Sequence, residues 1–284
     1  MPVADVELSL DLVHALLRAQ HPDLADLPLA PLAAGWDNEL VRLGDGLIVR
    51  LPRRAVAAGL IEHELAWLPV IAKHCSLPVP VPVRRGVPGA GYPHPWSIVP
   101  YLRGQPVDES MLDTAAARAL GGFVRGLHVP APGGAPYNPV RGVALVERTR
   151  RFEEALAALG DRPDLVARAR EVWQACVATP AWDLAPVWLH GDLHPGNVLW
   201  DGRTVCAVID FGDLTAGDPA TDLAIAYMCF DDGDRAVFLH ESGADAATCE
   251  RARGWAVAIS VAVIASDDAQ AARIGERALA AALR

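Results

Sequence analysis

The residues best suited to chemistry lie in one stretch, His190-Gly191-Asp192-Leu193-His194-Pro195-Gly196-Asn197, followed later by Asp210-Phe211-Gly212. Asp192 and Asn197 stand five positions apart, and Asp210 follows thirteen positions on, a gap long enough for a β-hairpin. In such a set one carboxylate can orient a hydroxyl nucleophile and take its proton, while the asparagine and the second carboxylate hold divalent metal against a nucleoside triphosphate. The pattern points to phosphoryl transfer and leaves the phosphate acceptor open. Taken alone, Asp192 and Asn197 read as turn formers, since Asp, Asn, Pro and Gly all favour turns. The added Asp210 moves the reading to chemistry.

The elements that must position these groups are short. Val187-Trp188-Leu189, Val198-Leu199-Trp200 and Val205 to Ile209 are strand-like, and Asp201-Gly202 is a hairpin turn between the last two. That hairpin is expected to bring Asp210 next to the Asp192 loop. Asp210 ends an apolar strand, where an unpaired buried carboxylate is costly, so metal or hydrogen-bond donors should compensate it. Magnesium, which favours few carboxylates plus phosphate oxygens, suits one Asp, one Asn and a nucleotide. His190 and His194, without Cys or a third His, make a poor zinc site.

Upstream, Leu8 to Gln20 has helical spacing. Leu29 to Ala34, Glu39 to Leu43 and Leu47 to Leu51 read as an antiparallel meander, broken at Gly35-Trp36-Asp37-Asn38 and Gly44-Asp45-Gly46. Val56 to His74 is helical, with a kink expected at Pro69. Pro78 to Pro82 suits an extended edge, Trp96 to Tyr101 a buried strand, and Leu102 to Pro106 a linker. Helices are then expected over Glu109 to Val129, Glu147 to Leu159, Asp164 to Val177, Thr221 to Phe230, Ala236 to Glu241, Ala244 to Ala265 and Ala269 to Leu283. Pro130 to Gly142 reads as a mobile Pro/Gly-rich loop. A small β-rich lobe and a large helical lobe would meet near residues 102–107, with a ligand cleft between them.

The 284 residues, 52% of them hydrophobic, allow a sizeable core. The net charge of -10 argues against a general nucleic-acid binder. Five scattered cysteines without C-x-x-C argue for reduced thiols and a cytoplasmic setting. The acidic, interrupted N-terminus does not read as a signal peptide, and no run of about twenty apolar residues predicts a membrane span. Lys73 is the only lysine, so work normally given to lysine falls to arginine or to Lys73 itself.

Three segments together resemble the aminoglycoside phosphotransferase family: His190 to Asn197, Val208-Ile209-Asp210-Phe211-Gly212, and Gly217-Asp218-Pro219-Ala220-Thr221-Asp222-Leu223-Ala224. That family has a fold similar to eukaryotic protein kinases, includes kinases of aminoglycoside and macrolide antibiotics, and is related to choline, fructosamine and homoserine kinases. The resemblance is strong from Trp188 to Tyr227 and weak at the N-terminus. It implies an α+β, protein-kinase-like fold of two lobes. Residues 1–103 would form a nucleotide-binding lobe, a small antiparallel sheet plus one helix and the hinge. Residues 104–284 would form a large, mainly helical lobe for catalysis and acceptor binding.

The resemblance also implies roles. Asp192 would be the catalytic base. Asn197 and Asp210 would hold Mg²⁺, and ATP or GTP would be the phosphoryl donor. His190 would brace the loop, and Asp222, opening its helix, would either bind backbone N–H groups of the loop or serve as a plain N-cap. Gly35 and Asn38 lie where kinases place a phosphate-covering turn, although the full glycine pattern is missing and an ordinary hairpin turn is the alternative. Arg50 stands where kinases carry a strand lysine; it keeps the charge and changes the shape. Glu64 is the first choice for its helix partner and Glu62 the second. Pro100, Tyr101 and Leu102 would line the hinge, with the donor to the base coming from Tyr101 or Leu102. His194, Asp231, Asp232 and Glu241 are candidate acceptor contacts, against the plainer reading of a solvated cluster. Trp36, Tyr137, Trp182 and Trp255 could line an apolar acceptor pocket, with core packing the plainer reading for most.

The expected partner is a small-molecule hydroxyl acceptor, an antibiotic first, with no nucleic acid or membrane, in a monomer or homodimer. A metabolic kinase for an amino alcohol, sugar or glycated amine is the alternative, followed by a non-catalytic kinase-like nucleotide-binding module. A protein kinase fits less well, because no A-P-E follows Asp210.

Overall fold

The computed structural model describes residues 4–108, 111–266 and 268–284. They divide into two compact units. Unit 1 holds residues up to Lys73, Pro78–Arg103 and Ile209–Gly212, and unit 2 holds His74–Leu77, Gly104–Val208 and Asp213–Arg284.

Unit 1 begins with helix α1 (Leu10–Gln20), which starts at Ser9 because its side chain accepts from Leu12 N. Strands β1 (Leu29–Ala34), β2 (Asn38–Leu43) and β3 (Leu47–Pro52) form the expected meander, with Leu40 opposite Arg50 and Leu43 opposite Leu47. Helix α2 (Ala55–Ile71) follows and accommodates Pro69 inside its last turn. Strands β4 (Arg84–Gly86) and β5 (Trp96–Pro100) complete an antiparallel sheet of order β1-β2-β3-β5-β4 among the described residues. The extended Pro78 to Pro82 segment is not itself a strand; the edge is β4, which pairs with β5. Gly86 is required there, because a Cβ would come within 1.9 Å of the Trp96 ring.

Alternation along β3 sorts this unit. Val49 and Leu51 join Val41, Leu43, Ile98 and the α1 residues Val13, Leu16 and Leu17 in one core. Arg50, of opposite parity, reaches Glu64 of α2 instead. The buried stripe of α2 is Ala57, Ile61, Glu64, Leu68 and Ile71, so Glu64 sits in an otherwise apolar row.

Unit 2 opens with β6 (Gln105–Pro106), which pairs with the later strand β8 where the sequence suggested only a linker. Helix α3 (Thr114–Leu127) is capped by Asp113, whose side chain accepts from Ala116 N; the earlier start expected at Glu109 lies outside the described residues. Helices α4 (Thr149–Ala157) and α5 (Pro163–Val177) lead to β7 (Val187–Leu189). Strands β8 (Val198–Trp200) and β9 (Val205–Val208) form the expected hairpin, whose turn is held by Asp201 accepting from the N–H groups of Arg203 and Thr204. β7 pairs with an unforeseen strand, β10 (Thr215–Gly217), with Leu189 opposite Thr215.

The helix expected over Thr221 to Phe230 is two short pieces, α6 (Ala220–Leu223) and α7 (Ile225–Cys229). Helices α8 (Asp232–Ser242), α9 (Ala246–Ile264) and α10 (Ala269–Ala282) end the chain. α9 is buried on most of its faces, with Trp255, Ala256, Val257 and Val261 inaccessible. Among the described residues no helix is long and apolar enough to cross a membrane.

A buried ion pair ties α9 to the segment that precedes α6. Arg251 Nε donates to Asp218 Oδ2 at 2.7 Å and its Nη2 to Oδ1 at 3.1 Å, while Nη1 donates to the Pro180 carbonyl. Both side chains are almost inaccessible, and Asp218 Oδ1 also accepts from Ala220 N. Removing one partner of such a pair leaves an uncompensated buried charge. Asp218→Ala is therefore expected to lower unfolding free energy by about 3 kcal/mol or more in urea titrations, and a loss below about 1 kcal/mol would contradict this account.

Candidate active site

The loop from His190 to Asn197 joins β7 to β8 and is fixed mainly through one carboxylate. Asp222, fully buried in α6, accepts from His190 N at 2.8 Å and from Gly191 N at 2.9 Å. His128 Nε2, just after α3, lies 3.1 Å from the same carboxylate. Asp222 is the third residue of α6 rather than its opening residue, and its oxygens serve the loop rather than its own helix. Burial works to raise this carboxyl, but the His128 and His190 side chains and the Gly191 N–H outweigh it and hold the group below the ordinary Asp range.

The sharp entry into the loop requires Gly191. Its φ is +85°, and a Cβ there would lie 2.2 Å from the Asp213 carbonyl oxygen. Within the loop, Asp192 N donates to His190 Nδ1 at 3.3 Å, and Gly196 N to His194 Nδ1 at 3.1 Å. Asn197 N donates to the His194 carbonyl, and Asn197 Nδ2 to the Asp192 carbonyl at 2.9 Å. Asn197 is thereby oriented with its amide hydrogens on the loop, leaving its side-chain oxygen as the end able to bind a cation.

The Asp192 carboxylate is partly exposed and paired. Arg141 Nη2 lies 2.6 Å from Oδ1, and His194 Nε2 lies 3.7 Å from Oδ2. Arg141 Nε is also 3.5 Å from Asp213 Oδ2, and Asn138 Nδ2 donates to Asp213 Oδ1 at 2.8 Å. Burial raises the Asp213 carboxyl; Arg141 draws it back and Asp192 adds to the rise, with a net upward displacement.

The segment that delivers Arg141 is held at several points. Asn138 N donates to Thr215 Oγ1, Thr215 Oγ1 donates to the Pro136 carbonyl, and Gly142 N donates to Thr221 Oγ1. Asp218 N donates to the Gly142 carbonyl. The loop read from its prolines and glycines as mobile is thus stitched to β10 and α6 along its second half. Asn138, Arg141, Asp213 and His128 were not singled out from the sequence. Their partners are 75, 51, 72 and 94 positions away, beyond any local spacing signal.

Unit 1 brings together Arg50, Glu64 and Asp210. The buried Arg50 guanidinium forms an ion pair with Glu64, and its Nη2 lies 3.4 Å from Asp210 Oδ1. Burial pulls this guanidinium downward, but Glu64 and Asp210 together outweigh it and hold it above its ordinary value. Glu62 pairs instead with Arg85 on the surface, at 2.7 Å. Asp210 is more than half exposed and takes a φ of +63°, a left-handed conformation uncommon for a residue other than glycine.

The turn at Gly35 is closed by Gly35 N donating to the Asn38 carbonyl at 2.8 Å, with Arg53 donating to the Gly35 carbonyl. Asn38 is buried at the start of β2. At the other end of the sheet, Tyr101 N donates to the Gly46 carbonyl, and the Arg42 guanidinium lies 3.3 Å from the Tyr101 ring centroid. Of the two hinge donors considered, Tyr101 N is engaged with Gly46, and Leu102 N has no partner among the described residues.

The acidic residues considered for the acceptor sit on and beside α8. Asp231 caps that helix by accepting from Asp234 N, and Asp232 pairs with Arg235 and Arg284. Glu241 lies 4.0 Å from His240. These are helix-cap and surface ion-pair positions. Trp36 and Tyr137 are exposed, whereas Trp255 is in the core.

Asn197 and Asp210 both offer hard oxygen donors of the kind that suits Mg²⁺, which draws further ligands from phosphates and water. Among the described residues, no three His, Cys, Asp or Glu side chains gather as a self-sufficient metal site.

Comparison with known proteins identifies the fold and the family. Aminoglycoside 2'-phosphotransferase-IIIa in its GDP complex superposes with a TM-score of 0.70 at 17% identity, covering 98% of this chain and 99% of that one. A macrolide 2'-phosphotransferase from Brachybacterium faecium gives a TM-score of 0.65 at 24% identity, covering 95% and 98% of the two chains. The fold is therefore the α+β, kinase-like fold of the aminoglycoside phosphotransferases. In sequence, the homoserine kinase of Gluconobacter oxydans (strain 621H) is 30% identical over 215 residues, 71% of this chain. The match spans 66% of that relative, a little under two thirds of its length. A sequence model described as the phosphotransferase enzyme family matches residues 28–257. The chain belongs to the phosphotransferase enzyme family.

Proposed function

We propose that this protein moves the γ-phosphoryl group of ATP or GTP to a hydroxyl of a small molecule. The observation that carries the reading is the loop of unit 2. Asp192 is exposed enough to meet a substrate, fixed by Arg141, and borne on a backbone that Asp222 locks. A carboxylate so held can accept the hydroxyl proton and keep the oxygen in line for attack.

In unit 1, Arg50 is the permanent positive charge for the nucleotide phosphates, and Glu64 fixes its direction. Asn197 and Asp210 are the residues that would hold Mg²⁺, which when bound neutralises phosphate charge. Gly35 and Asn38 would cover the phosphates, and the hinge at Pro100, Tyr101 and Leu102 would hold the base, with Leu102 N–H as its donor. His190 and Asp222 keep the loop in shape. Most of the rate would come from positioning and electrostatics, because the transferring phosphoryl asks for little covalent help.

An antibiotic, an aminoglycoside or macrolide, is the first acceptor class, as the solved structures of like fold act on such compounds by name. A metabolic hydroxyl compound is the second reading, favoured by the 30% identity with a homoserine kinase. A panel of both classes with ATP and with GTP, read by the mass gain of one phosphoryl group, separates them. A panel without nucleotide-dependent modification would overturn the kinase reading.

Two variants test the roles. Asp192→Asn is expected to lower kcat by about a hundredfold or more while nucleotide still binds, and near-normal turnover would remove the base assignment. Asp210→Asn should weaken nucleotide binding in the presence of magnesium much more than in its absence; equal affinities across a magnesium titration would contradict its role as a ligand.

A further inference from the structure

Arg148 and Arg151 stand seven and ten positions beyond Arg141, at the end of the 3-10 turn Leu145–Arg148 and in the first turn of α4. Other arginines of this region have carboxylate partners: Arg150 with Glu154 at 2.6 Å, Arg170 with Glu153 at 2.8 Å, and Arg253 with Glu250 at 3.4 Å. Among the described residues, Arg148 and Arg151 form no ion pair.

Arg148 is not a solvated surface charge. Its guanidinium carbon lies 5.6 Å from the ring centroid of the fully buried Trp255. Arg148 Nε and Trp255 Nε1 are both buried, and neither finds an acceptor among the described residues. Water cannot reach either N–H freely, so each calls for an acceptor. Burial, followed by the charges of Arg151 and Arg141, brings the Arg148 guanidinium down to about 10. Its charge is therefore uncompensated, in a chain that is acidic overall.

Unmatched N–H donors and gathered positive charge require one kind of ligand. A guanidinium presents its N–H groups as a planar fork, and a carboxylate offers two oxygens at matching spacing. The same segment also carries Arg141, which holds Asp192 at 2.6 Å. We propose that Arg148 and Arg151, beside Trp255, form an anion subsite that takes a carboxylate of the phosphoryl acceptor. The assignment of that carboxylate to the acceptor rests on the kinase reading above. Of the two acceptor classes above, such a subsite favours the second, as a small hydroxy acid, over polycationic aminoglycosides.

The test uses the full chain with nucleotide present. Malonate is titrated while the indole N–H resonance of Trp255, identified with Trp255→Phe, is followed by NMR. A saturable shift is expected, weakened about tenfold or more in Arg148→Gln and in Arg151→Gln, as loss of a charge-assisted hydrogen bond requires. Arg151 is exposed, so its variant carries the test even where Arg148→Gln fails to fold. No saturable shift, equal affinity in both variants, or tighter binding of inorganic phosphate than of malonate would overturn the proposal.

In parallel, hydroxy acids and their amides are compared as acceptors, with KM for the acids expected to rise more than kcat falls in Arg151→Gln. Arginine-dependent malonate binding without any acceptor turnover refutes the kinase reading and keeps the subsite. Turnover of a cationic or neutral acceptor with KM unmoved in Arg151→Gln refutes the subsite and keeps the kinase reading.

Discussion

A single buried carboxylate sets the geometry of the loop that carries Asp192. Asp222 has no access to solvent, yet three donors converge on it: the N–H groups of His190 and Gly191, and His128. A buried charge is tolerable only when it is hydrogen-bonded this fully. The arrangement works in both directions. The loop N–H groups, which β7 cannot satisfy past Leu189, gain an acceptor, and the carboxylate gains compensation. Because both oxygens are committed, the peptide planes at His190 and Gly191 are fixed, and so is the direction in which Asp192 leaves the chain. Gly191 completes the constraint, since no side chain fits beside the Asp213 carbonyl.

Unit 1 uses the same logic with the sign reversed. Strand alternation puts Val49 and Leu51 in the apolar core and sends Arg50 away from it, to Glu64 and Asp210. Glu64 occupies a position in the buried stripe of α2 that an aliphatic residue would otherwise take. Its burial is explained by Arg50, and the burial of Arg50 by Glu64. Such a pair contributes little to stability against an apolar replacement, so its physical sense lies in holding a charge in a chosen direction.

Much of this was legible in the chain, and the reasons differ by element. The meander β1 to β3 was readable because its turns carry glycine and aspartate and its strands alternate. The β8–β9 hairpin was readable from Asp201-Gly202. Asp192, Asn197 and Asp210 could be singled out because they lie in one local pattern. β10 was missed, since Thr215-Ala216-Gly217 has no strand signal of its own and is a strand only because β7 needs a partner. The unbroken helix expected over Thr221 to Phe230 divides at Ala224 among wholly buried neighbours, where packing and not propensity decides. Arg141 was hidden for a different reason. A lone arginine in a Pro/Gly-rich loop acquires meaning only when Asp192 and Asp213, distant in sequence, arrive beside it. The same loop was read as mobile because composition does not record the Thr215 and Thr221 hydroxyls that hold it.

The cations of this protein also bear on how its site responds to acid. The Arg50 guanidinium, which Glu64 and Asp210 hold above its ordinary value, keeps its charge beside Asp210 at any working pH. Two carboxyls of the site are displaced in opposite directions. Asp213 is raised, chiefly by burial, so its ionised form is disfavoured in the folded protein and it takes up its proton early as pH falls. Asp222 is lowered despite its burial, so the stability it contributes above its unfolded pKa is lost only when pH falls through its depressed folded value. On acidification Asp213 is neutralised first, and the support it gives Arg141 weakens while Asp222 still holds the loop. Toward acid, therefore, the carboxylate support of Arg141 is lost before the strut that holds the loop, because the two carboxyls titrate at different points.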